Sequence, residues 1–397
     1  MTQNAPDWPI YDADQHYYEA PDSFTRHLDP QYSYAFQWVT SKSTGRTHLI
    51  VGDRLFTMIK NPTFDPVGKP GALAAYFRGE NTEGAEFKKM MGKMDPIKPE
   101  YQNRDARLKV LDDQGVAGAF MLPTLALGLE RLLNEDPLAL NAVMGAFNRW
   151  IDEEWGFARD NRIVAPPVIS LVDEQLAEKE LQWLVERGTK AVILRPGPVV
   201  GQFGRRSPGD KRYDRIWSMC TDADVTVAFH AADSGYSGHV ENWGERTLFS
   251  GGESDSPFAE VLSVHLERPI VETLAALMSH GVFDRHPALR VMTVELGSGW
   301  VPDLLRRFKN SYGKIPHMFG HDPVQRFHDN IYVAPFQEDS IVSLTDHMSI
   351  DHILFGSDWP HPEGVENPAD ALEDLQTLSA EDQQKIMSTN LKQLLKL

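Results

Sequence analysis

The chain has 397 residues, 41% of them hydrophobic and 24% charged, which suits a folded globular protein and is too apolar for a disordered one. Its formal net charge of −18 disfavours nucleic-acid binding but leaves room for an anionic substrate in a locally positive pocket. The single cysteine, Cys220, excludes an intramolecular disulfide and a cysteine-based zinc cluster. The sequence contains no signal-peptide pattern and no apolar run long enough to span a membrane, so we expect a cytoplasmic enzyme that binds neither nucleic acid nor membranes.

Short apolar segments alternate with helical patterns along the chain. The predicted buried strands are 9–14, 116–122, 163–170, 190–195, 225–230, 289–295, 331–335 and 352–358. The predicted helices are 141–158, 173–187, 259–280, 301–310 and 369–378. Near-continuous apolar strands separated by helices indicate βαβ units, and eight strands would close a (β/α)8 TIM barrel. The alternative is a doubly wound open sheet, which the lack of a GxGxxG turn after any strand disfavours.

Two intervals are too long or too polar for ordinary barrel crossovers. Residues 17–105 are predicted to leave the barrel after strand one and to cap its C-terminal mouth, with a hairpin turning at Gly52-Asp53. A separate domain is the alternative. Residues 231–258 are rich in Ser and Gly and are predicted to form an active-site loop after strand five. Both leave from strand C-termini, where barrel active sites form, so we interpret 1–397 as a single barrel with two insertions.

Polar residues that could bind a metal stand at the ends of three predicted strands. In DADQH, strand alternation places Asp14 and His16 on one face. His230 ends the apolar segment VTVAFH, and Asp358 ends HILFGSD. Each taken alone has an ordinary structural explanation, such as a capping group or a hydrogen-bonded core residue. Strands one, five and eight end at one rim of a barrel, however, so together these residues predict one divalent ion, zinc first and manganese if oxygen ligands dominate.

Several stretches resemble the amidohydrolase superfamily, in its amidohydrolase-related branch, which includes aminocarboxymuconate semialdehyde decarboxylase and γ-resorcylate decarboxylase. They are DADQH, GVAGAFMLPT, KAVILRPGP, VAFH, GVFDRHPALRVMTVELGSGW and ILFGSDWPHPEG, and they extend from about residue 8 to residue 365. The resemblance implies that His16 and His230 are metal ligands on strands one and five, with Asp14 as the partner of His16. It implies that Asp358 is the strand-eight acid, which binds metal and moves protons.

Further candidate residues lie close to these positions. By resemblance, Arg195 in the strand-four RP turn could bind a substrate anion. His361, in the loop after the strand-eight acid, is a candidate catalytic residue together with Asp358 and Glu295. Trp300 and Trp359 could face the substrate, although packing under a lid explains them equally well. Decarboxylases of this branch usually have a histidine at the end of strand six, where this sequence has Glu295, which could bind the metal, act as a base or pair with a cation.

The departure at Glu295 decides the order of the functional hypotheses. A metal-dependent hydrolase comes first, in which Asp358 takes a proton from metal-activated water that attacks a small carboxylated or aromatic substrate. The alternative is a metal-dependent, non-oxidative decarboxylase of an aromatic or unsaturated carboxylic acid. A barrel that binds without catalysis is a third hypothesis, disfavoured by ligands and a general acid at one rim. The expected partner is a small molecule, and the chain could form a homodimer, the commonest oligomer.

Overall fold

A ring of parallel strands forms the centre of the computed structural model, which describes residues 6–81, 84–85, 87–202, 204–247, 256–336 and 339–397. The strands are β1 (Ile10–His16), β2 (Phe36–Thr40), β3 (Thr47–Val51), β4 (Arg54–Leu55), β5 (Val116–Leu122), β6 (Ile163–Val164), β7 (Ala191–Leu194), β8 (Val199–Gly201), β9 (Gly204–Arg206), β10 (Thr226–His230), β11 (Val291–Val294) and β12 (Ile331–Ala334). Two parallel sheets have the orders β1–β5–β6 and β12–β11–β10–β7. Their residues are almost all buried, as expected for strands covered on both faces.

Isolated backbone pairs close the two sheets into one ring. Val168, just after β6, pairs with Ile193 on β7. The segment 353–359 supplies an irregular eighth strand, which pairs with β12 at Ile353 and with β1 at Trp359. The fold is therefore the predicted (β/α)8 barrel. The carboxyl ends of its strands face one side, and that side holds the candidate site.

Helices surround the ring and fill its insertions. They are α1 (Ala74–Phe77), α2 (Phe87–Met90), α3 (Arg104–Asp113), α4 (Glu130–Leu133), α5 (Pro137–Glu154), α6 (Glu174–Glu186), α7 (Asp214–Asp222), α8 (Ser237–Glu241), α9 (Pro257–Val261), α10 (Glu267–Ser279), α11 (Val282–Arg285), α12 (Val301–Lys314), α13 (Pro323–Asn330), α14 (Ile341–Leu344), α15 (Ala380–Gln384) and α16 (Asn390–Leu395). Shorter helical turns occur at Pro30–Ala35, Pro99–Tyr101, Ala126–Gly128, Lys211–Tyr213, Pro316–Met318, Ile350–His352, Pro368–Glu373 and Lys385–Thr389. Among the described helices, none combines the length and apolarity needed to cross a membrane.

The predicted strands agree with the structure best where the apolar segment is uninterrupted. The prediction for 116–122 is confirmed residue for residue as β5. The first strand continues two residues beyond 9–14, because Gln15 and His16 still pair with β5. The prediction of a full strand over 163–170 is wrong, since regular pairing stops after β6. Two prolines, at 166 and 167, lack the N–H groups that a regular ladder needs.

The predicted helices agree with the structure in three cases out of five. Those observed with shifted ends are 141–158 as α5, 173–187 as α6 and 301–310 as α12. The prediction of one helix over 259–280 is wrong, because Ser263 takes a left-handed φ of 46° and separates α9 from α10. The prediction at 369–378 is also wrong, since a tighter helical turn ends at Glu373.

The insertion at 17–105 carries its own small antiparallel sheet, β2–β3–β4. The hairpin predicted at Gly52-Asp53 is confirmed, since β3 and β4 pair on either side of that turn. Further along the insertion, the Leu73 amide donates to the Pro362 carbonyl oxygen at 2.7 Å, in the loop after the eighth strand. This contact lies at the barrel face where we predict the cap, and the capping role itself stays a prediction.

The loop predicted at 231–258 follows β10, and its residues 248–255 lie outside the described residues. Its described part contains α8 and the start of α9. Asp233 accepts hydrogen bonds from Arg131 Nη1 at 3.1 and 3.3 Å, which tie the loop to α4. The loop therefore packs against the segment that follows β5, and its role in the active site stays a prediction.

Candidate metal centre

Two histidines and three carboxylates converge where β1, β10, β11 and the eighth strand end. His16 Nε2 lies 3.4 Å from Asp14 Oδ1, 3.5 Å from Glu295 Oε2 and 3.5 Å from Asp358 Oδ1. His230 Nε2 lies 2.9 Å from Glu295 Oε2 and 3.2 Å from His16 Nε2. All five residues are buried. The ring of strands thus brings together side chains that are far apart in the sequence.

The two acids at the strand ends have unusual backbone conformations. Glu295 has a φ of 54° and Asp358 a φ of 55°, both in the left-handed region that residues with a Cβ rarely adopt. The Asp358 amide donates to the Asp14 carbonyl oxygen at 2.7 Å, which fixes the turn against β1. Gly356 precedes this turn, and a Cβ there would come within 2.5 Å of the Asp14 Cβ. Strain of this kind is commonly stored at functional sites, where it aims a side chain.

A second group of side chains adjoins the first. His361 Nδ1 lies 2.7 Å from Asp358 Oδ1, and the His361 and His16 rings are 3.9 Å apart between centroids. On the other side, His361 Nε2 lies 3.3 Å from Thr124 Oγ1. Asp358 therefore stands between the histidine cluster and a further imidazole.

Burial and the charges of neighbouring residues shift the pKa values of these groups. Burial raises the pKa of Asp358 well above its usual range, and the Glu295 carboxylate raises it further. Burial lowers the pKa of His361 well below its usual value. For His230, burial favours the neutral ring, but the Glu295 charge outweighs it and raises the pKa to about 10. Burial opposes ionisation of Glu295, but His230 and His16 hold the pKa of that carboxyl well below its usual range.

The donor set fits a divalent cation. Ligand atoms of Asp14, His16, His230 and Glu295 lie within 4.8 Å of one another, as do those of His16, Glu295, Asp358 and His361. Ligands at about 2 Å from one ion are themselves roughly 3–3.5 Å apart. Within the part of the chain that the structure describes, several buried atoms of the cluster form no hydrogen bond of acceptable geometry, although imidazole nitrogens lie near them. They are Asp14 Oδ1, Glu295 Oε2, both Asp358 carboxylate oxygens and His361 Nδ1. Buried carboxylate oxygens without a hydrogen bond are costly, and a cation among them would compensate that cost.

A buried network holds β1 against the eighth strand behind this cluster. Asp12 accepts hydrogen bonds from the Ser357 amide at 2.9 Å and from its hydroxyl at 2.5 Å. Arg107 Nη2 donates to the His16 carbonyl oxygen at 2.6 Å, and its guanidinium lies 4.4 Å from the Trp359 ring centroid. Burial lowers the pKa of Arg107 to about 9. These contacts fix the backbone from which two of the candidate ligands project.

Sequence reasoning missed three of the supporting residues: Arg107, Glu19 and Thr124. Arg107 lies in α3, where a lone arginine has the pattern of a solvated helix residue. Glu19 lies in the insertion that we interpreted only as a cap. Thr124 had a usable signal, since it is a polar residue just past the end of a fully apolar strand.

The predicted substrate-binding residues are occupied by contacts within the protein. Arg195 Nε donates to Glu130 Oε1 at 2.7 Å, and Nη1 donates to the Ser234 carbonyl oxygen at 3.0 Å. Trp300 is buried, and its indole N–H points at the carbonyl oxygens of residues 296 and 297. Trp359 is buried against Arg107. Their roles in substrate binding stay predictions, and the described contacts of Arg195 and Trp300 are those of structural residues.

Fold and site together define a class: a (β/α)8-barrel enzyme with a histidine–carboxylate centre at the carboxyl ends of its strands. The sequence profile of the amidohydrolase family (Amidohydro_2) matches residues 45–397, so the chain belongs to that family. The crystal structure of an amidohydrolase from Mycobacterium avium subsp. paratuberculosis K-10 is 41% identical. It covers 98% of this chain and 100% of its own, with a TM-score of 0.92.

Other relatives are decarboxylases. γ-Resorcylate decarboxylases of Rhizobium radiobacter and Rhodococcus jostii (strain RHA1) are 26% and 25% identical, and each match spans 74% of this chain. These matches cover 87% and 88% of the two relatives. A dihydroxybenzoic acid decarboxylase of Polaromonas sp. JS666, solved with manganese and 2-nitroresorcinol, shares the fold, with a TM-score of 0.58 and 20% identity over 83% of this chain and 97% of its own. The chain is therefore an enzyme, a metal-dependent carboxy-lyase or hydrolase.

Proposed function

We propose that the protein is a metal-dependent, non-oxidative decarboxylase of a hydroxylated aromatic carboxylic acid. The observation that carries this proposal is the similarity to γ-resorcylate decarboxylases, which spans most of this chain and most of theirs. The site is compatible with it, because a buried acid, Asp358, lies beside the candidate ligands. This reverses the order given by sequence analysis, in which the departure at Glu295 placed hydrolysis first.

Asp14, His16, His230 and Glu295 would hold the cation, because their donor atoms lie within 4.8 Å of one another. Asp358, which the sequence predicted both to bind the metal and to move protons, would keep the second of these roles. Bound there, a divalent ion would supply Lewis-acid polarisation of a carboxylate and a neighbouring hydroxyl oxygen of the substrate. We propose manganese over zinc, since carboxylate donors equal or outnumber imidazoles once Glu295 is included. Metal analysis of the purified protein tests this preference, and zinc as the resident ion would contradict it.

Asp358 would supply the proton. In its protonated form it would transfer a proton from a carboxyl oxygen to the ring carbon that bears the carboxylate, and a C–H bond would form there. The C–C bond to the carboxylate would then break, its electron pair would return to the ring, and CO₂ would leave. Asp358, now ionised, would regain a proton after the product has left and water has entered the site, and His361, whose Nδ1 lies 2.7 Å from Oδ1, would carry that proton on Nδ1 only transiently. General acid catalysis of this kind typically contributes roughly 10²–10⁴-fold.

Aromatic side chains near His361 would help to exclude water. Tyr18 stacks on Phe64 of the insertion at 4.4 Å between ring centroids, and it also faces the His361 ring at 5.7 Å. All three side chains are buried. A dry wall on this side would favour delivery of the proton from Asp358 over exchange with bulk solvent.

Hydrolysis remains a second candidate function because of one observation. Glu295 places a carboxylate 2.9 Å from His230 Nε2, at the position where related decarboxylases usually have a histidine. An additional carboxylate at this position could act as a base toward water. The two functions differ in their products, because only decarboxylation releases CO₂ without incorporating oxygen from water.

Both candidates can be tested on one substrate panel. We would incubate the metal-loaded protein with 2,6-dihydroxybenzoate, 5-carboxyvanillate, aryl amides and lactones, and measure CO₂ and products in D₂O. The proposal expects CO₂ from a hydroxybenzoate and deuterium on the carbon that carried the carboxylate. Hydrolysis of an amide or lactone without CO₂ from any acid would overturn it.

A pair of variants tests the proposed proton donor. Asp358→Asn should lower turnover by roughly 10²–10⁴-fold. Asp53→Asn, at a carboxylate that is 97% exposed, makes the same replacement of a carboxyl by an amide far from the chemistry and should leave turnover unchanged. Circular dichroism and metal content check that the first variant stays folded and loaded. A loaded Asp358→Asn protein with full activity would remove Asp358 from the mechanism.

A further inference from the structure

The hydroxyl of Thr124 lies between two histidines of the site. Thr124 follows the end of β5 and is only 6% exposed. Its Oγ1 lies 3.3 Å from His361 Nε2 and 3.5 Å from His16 Nδ1. The same oxygen donates to the Tyr17 carbonyl oxygen at 3.2 Å. The buried Thr124 Oγ1 thus contacts three polar atoms: two imidazole nitrogens and one carbonyl oxygen.

Hydrogen-bonding capacity decides which atom donates in each contact. A threonine hydroxyl has one proton to donate and two lone pairs that accept. The Tyr17 carbonyl oxygen can only accept, so it takes the hydroxyl proton. Both imidazole nitrogens must then donate to Oγ1, and the protons lie on His16 Nδ1 and on His361 Nε2.

In the neutral form of each ring, which is the form that can bind a metal, this assignment leaves the other nitrogen without a proton. For His16 that nitrogen is Nε2, the atom that faces Asp14, Glu295 and Asp358. His230 reaches the same state by a different contact, because its Nδ1 lies 2.7 Å from the Ala231 carbonyl oxygen. A bare ring nitrogen is the form that binds a metal, and the hydrogen bond on the opposite nitrogen selects it.

Glu19 holds the backbone of Thr124 in place. Its carboxyl group is buried, at 2% exposure, and a single oxygen, Oε1, accepts from three consecutive amides. These are the N–H groups of Thr124 at 3.0 Å, Leu125 at 2.7 Å and Ala126 at 3.2 Å. Because Glu19 accepts from three consecutive amides, it fixes the backbone of Thr124 and therefore the position of the Thr124 hydroxyl.

We propose that Thr124 is a positioning residue that sets the tautomers of His16 and His361, and that Glu19 anchors it. The proposal rests on the metal site of the proposed function but not on decarboxylation. Thr124→Val keeps the size of the side chain and removes the acceptor, so two buried N–H groups lose their partner. Loss of an outer hydrogen-bond partner of a metal-binding histidine typically costs 10–100-fold in metal affinity.

Metal affinity measures this effect without any substrate. Metal-free protein would be titrated with Mn²⁺ and with Zn²⁺ against a fluorescent chelator. We expect Thr124→Val to bind each ion roughly 10–100-fold more weakly than the unaltered protein. Thr124→Ser retains the hydroxyl and should restore affinity to within about threefold of the unaltered protein.

Thr226→Val is the matched control. Thr226 is also fully buried, at the start of β10, but its hydroxyl has no hydrogen-bond partner among the described residues, so the change should leave metal affinity unaltered. Equal affinity of Thr124→Val and the unaltered protein would overturn the role of Thr124. If the unaltered protein bound neither ion, the metal site itself would fail, which is a different result.

A second measurement covers the case in which Thr124→Val does not fold. In unaltered, zinc-loaded protein labelled with ¹⁵N-histidine, two-bond N–H correlations report the tautomer of each ring. His361→Gln identifies the His361 signals by their loss. We expect the His361 proton on Nε2, and a proton on Nδ1 instead would contradict the proposed hydrogen bond to Thr124.

Discussion

Replacing Glu19 by Gln should change how the stability of the protein depends on pH. Burial raises the pKa of the Glu19 carboxyl from its ordinary value of 4.5 to about 7, although its hydrogen bonds from the Thr124, Leu125 and Ala126 amides oppose the shift. A carboxyl with a raised pKa stabilises the fold fully below its unfolded pKa, near 4.5, and this stability is lost as pH rises through about 7. The difference between the two values corresponds to about 3 kcal/mol.

Glutamine mimics the neutral acid at every pH. Its amide oxygen can still accept from the three backbone amides, and in the described part of the chain Oε2 of Glu19 has no hydrogen-bond partner that the change would break. Between pH 5 and pH 8, ionisation of the Glu19 carboxyl lowers the stability of the unaltered protein. The variant has no carboxyl at this position and should not lose this stability. Relative to the unaltered protein, the free energy of unfolding of Glu19→Gln should rise by about 2.5 kcal/mol over this range, because part of the full effect falls below pH 5.

Urea unfolding at pH 5, 6, 7 and 8, followed by tryptophan fluorescence, measures this difference. We compare how the free energy of unfolding changes with pH in the two proteins, because any effect of the substitution that does not depend on pH then cancels. Glu135→Gln, at an exposed carboxylate, controls for the loss of one negative charge. Parallel curves for Glu19→Gln and the unaltered protein would refute the reasoning, because the three amides would then outweigh burial.

Two further predictions concern the candidate metal centre. Gly356→Ala places a Cβ 2.5 Å from the Asp14 Cβ, and the collision should cost about 1–3 kcal/mol in urea unfolding and weaken metal binding. Gly238→Ala, where a Cβ has no described atom within 4 Å, is the control and should change neither quantity measurably. Removing the metal with a chelator should lower the free energy of unfolding, and returning it at 100 times its dissociation constant should restore about 3 kcal/mol. An unfolding curve that does not respond to chelator or metal would contradict a site at these residues.

The barrel could be predicted from the sequence because its strands carry an unambiguous pattern. β5 is apolar almost throughout and has no interrupting proline, so its prediction matches at both ends. Segment 163–170 carries the same apolar signal, but two prolines remove the N–H groups of a regular ladder. The eighth strand deviates for another reason, since Gly356 and the left-handed Asp358 bend it around Asp14. The apolar pattern thus predicts which segments form the ring of strands. Prolines, glycines and left-handed residues then decide how regularly those segments pair.

The sequence predicted most residues of the candidate site but not how the Glu295 side chain is oriented within it. Asp14, His16, His230 and Asp358 each end or adjoin a buried strand, and the common rim of a barrel brings such residues together. The left-handed backbone that turns Glu295 toward His230 has no sequence signal, since glutamate rarely adopts it. Its placement among the candidate ligands, rather than beside Arg195, therefore required the structure.

The sequence also does not show which nitrogen of each histidine ring carries the proton. A sequence motif names a histidine, whereas binding a cation requires one particular nitrogen to be free of its proton. In this chain that choice depends on the Ala231 carbonyl oxygen for His230 and on a threonine hydroxyl for His16. The threonine in turn depends on Glu19, which lies in the insertion and not in a barrel strand. If Glu19 anchors Thr124 as proposed, replacing Glu19 by a residue that cannot accept from the Thr124 amide should alter metal affinity without altering any candidate ligand.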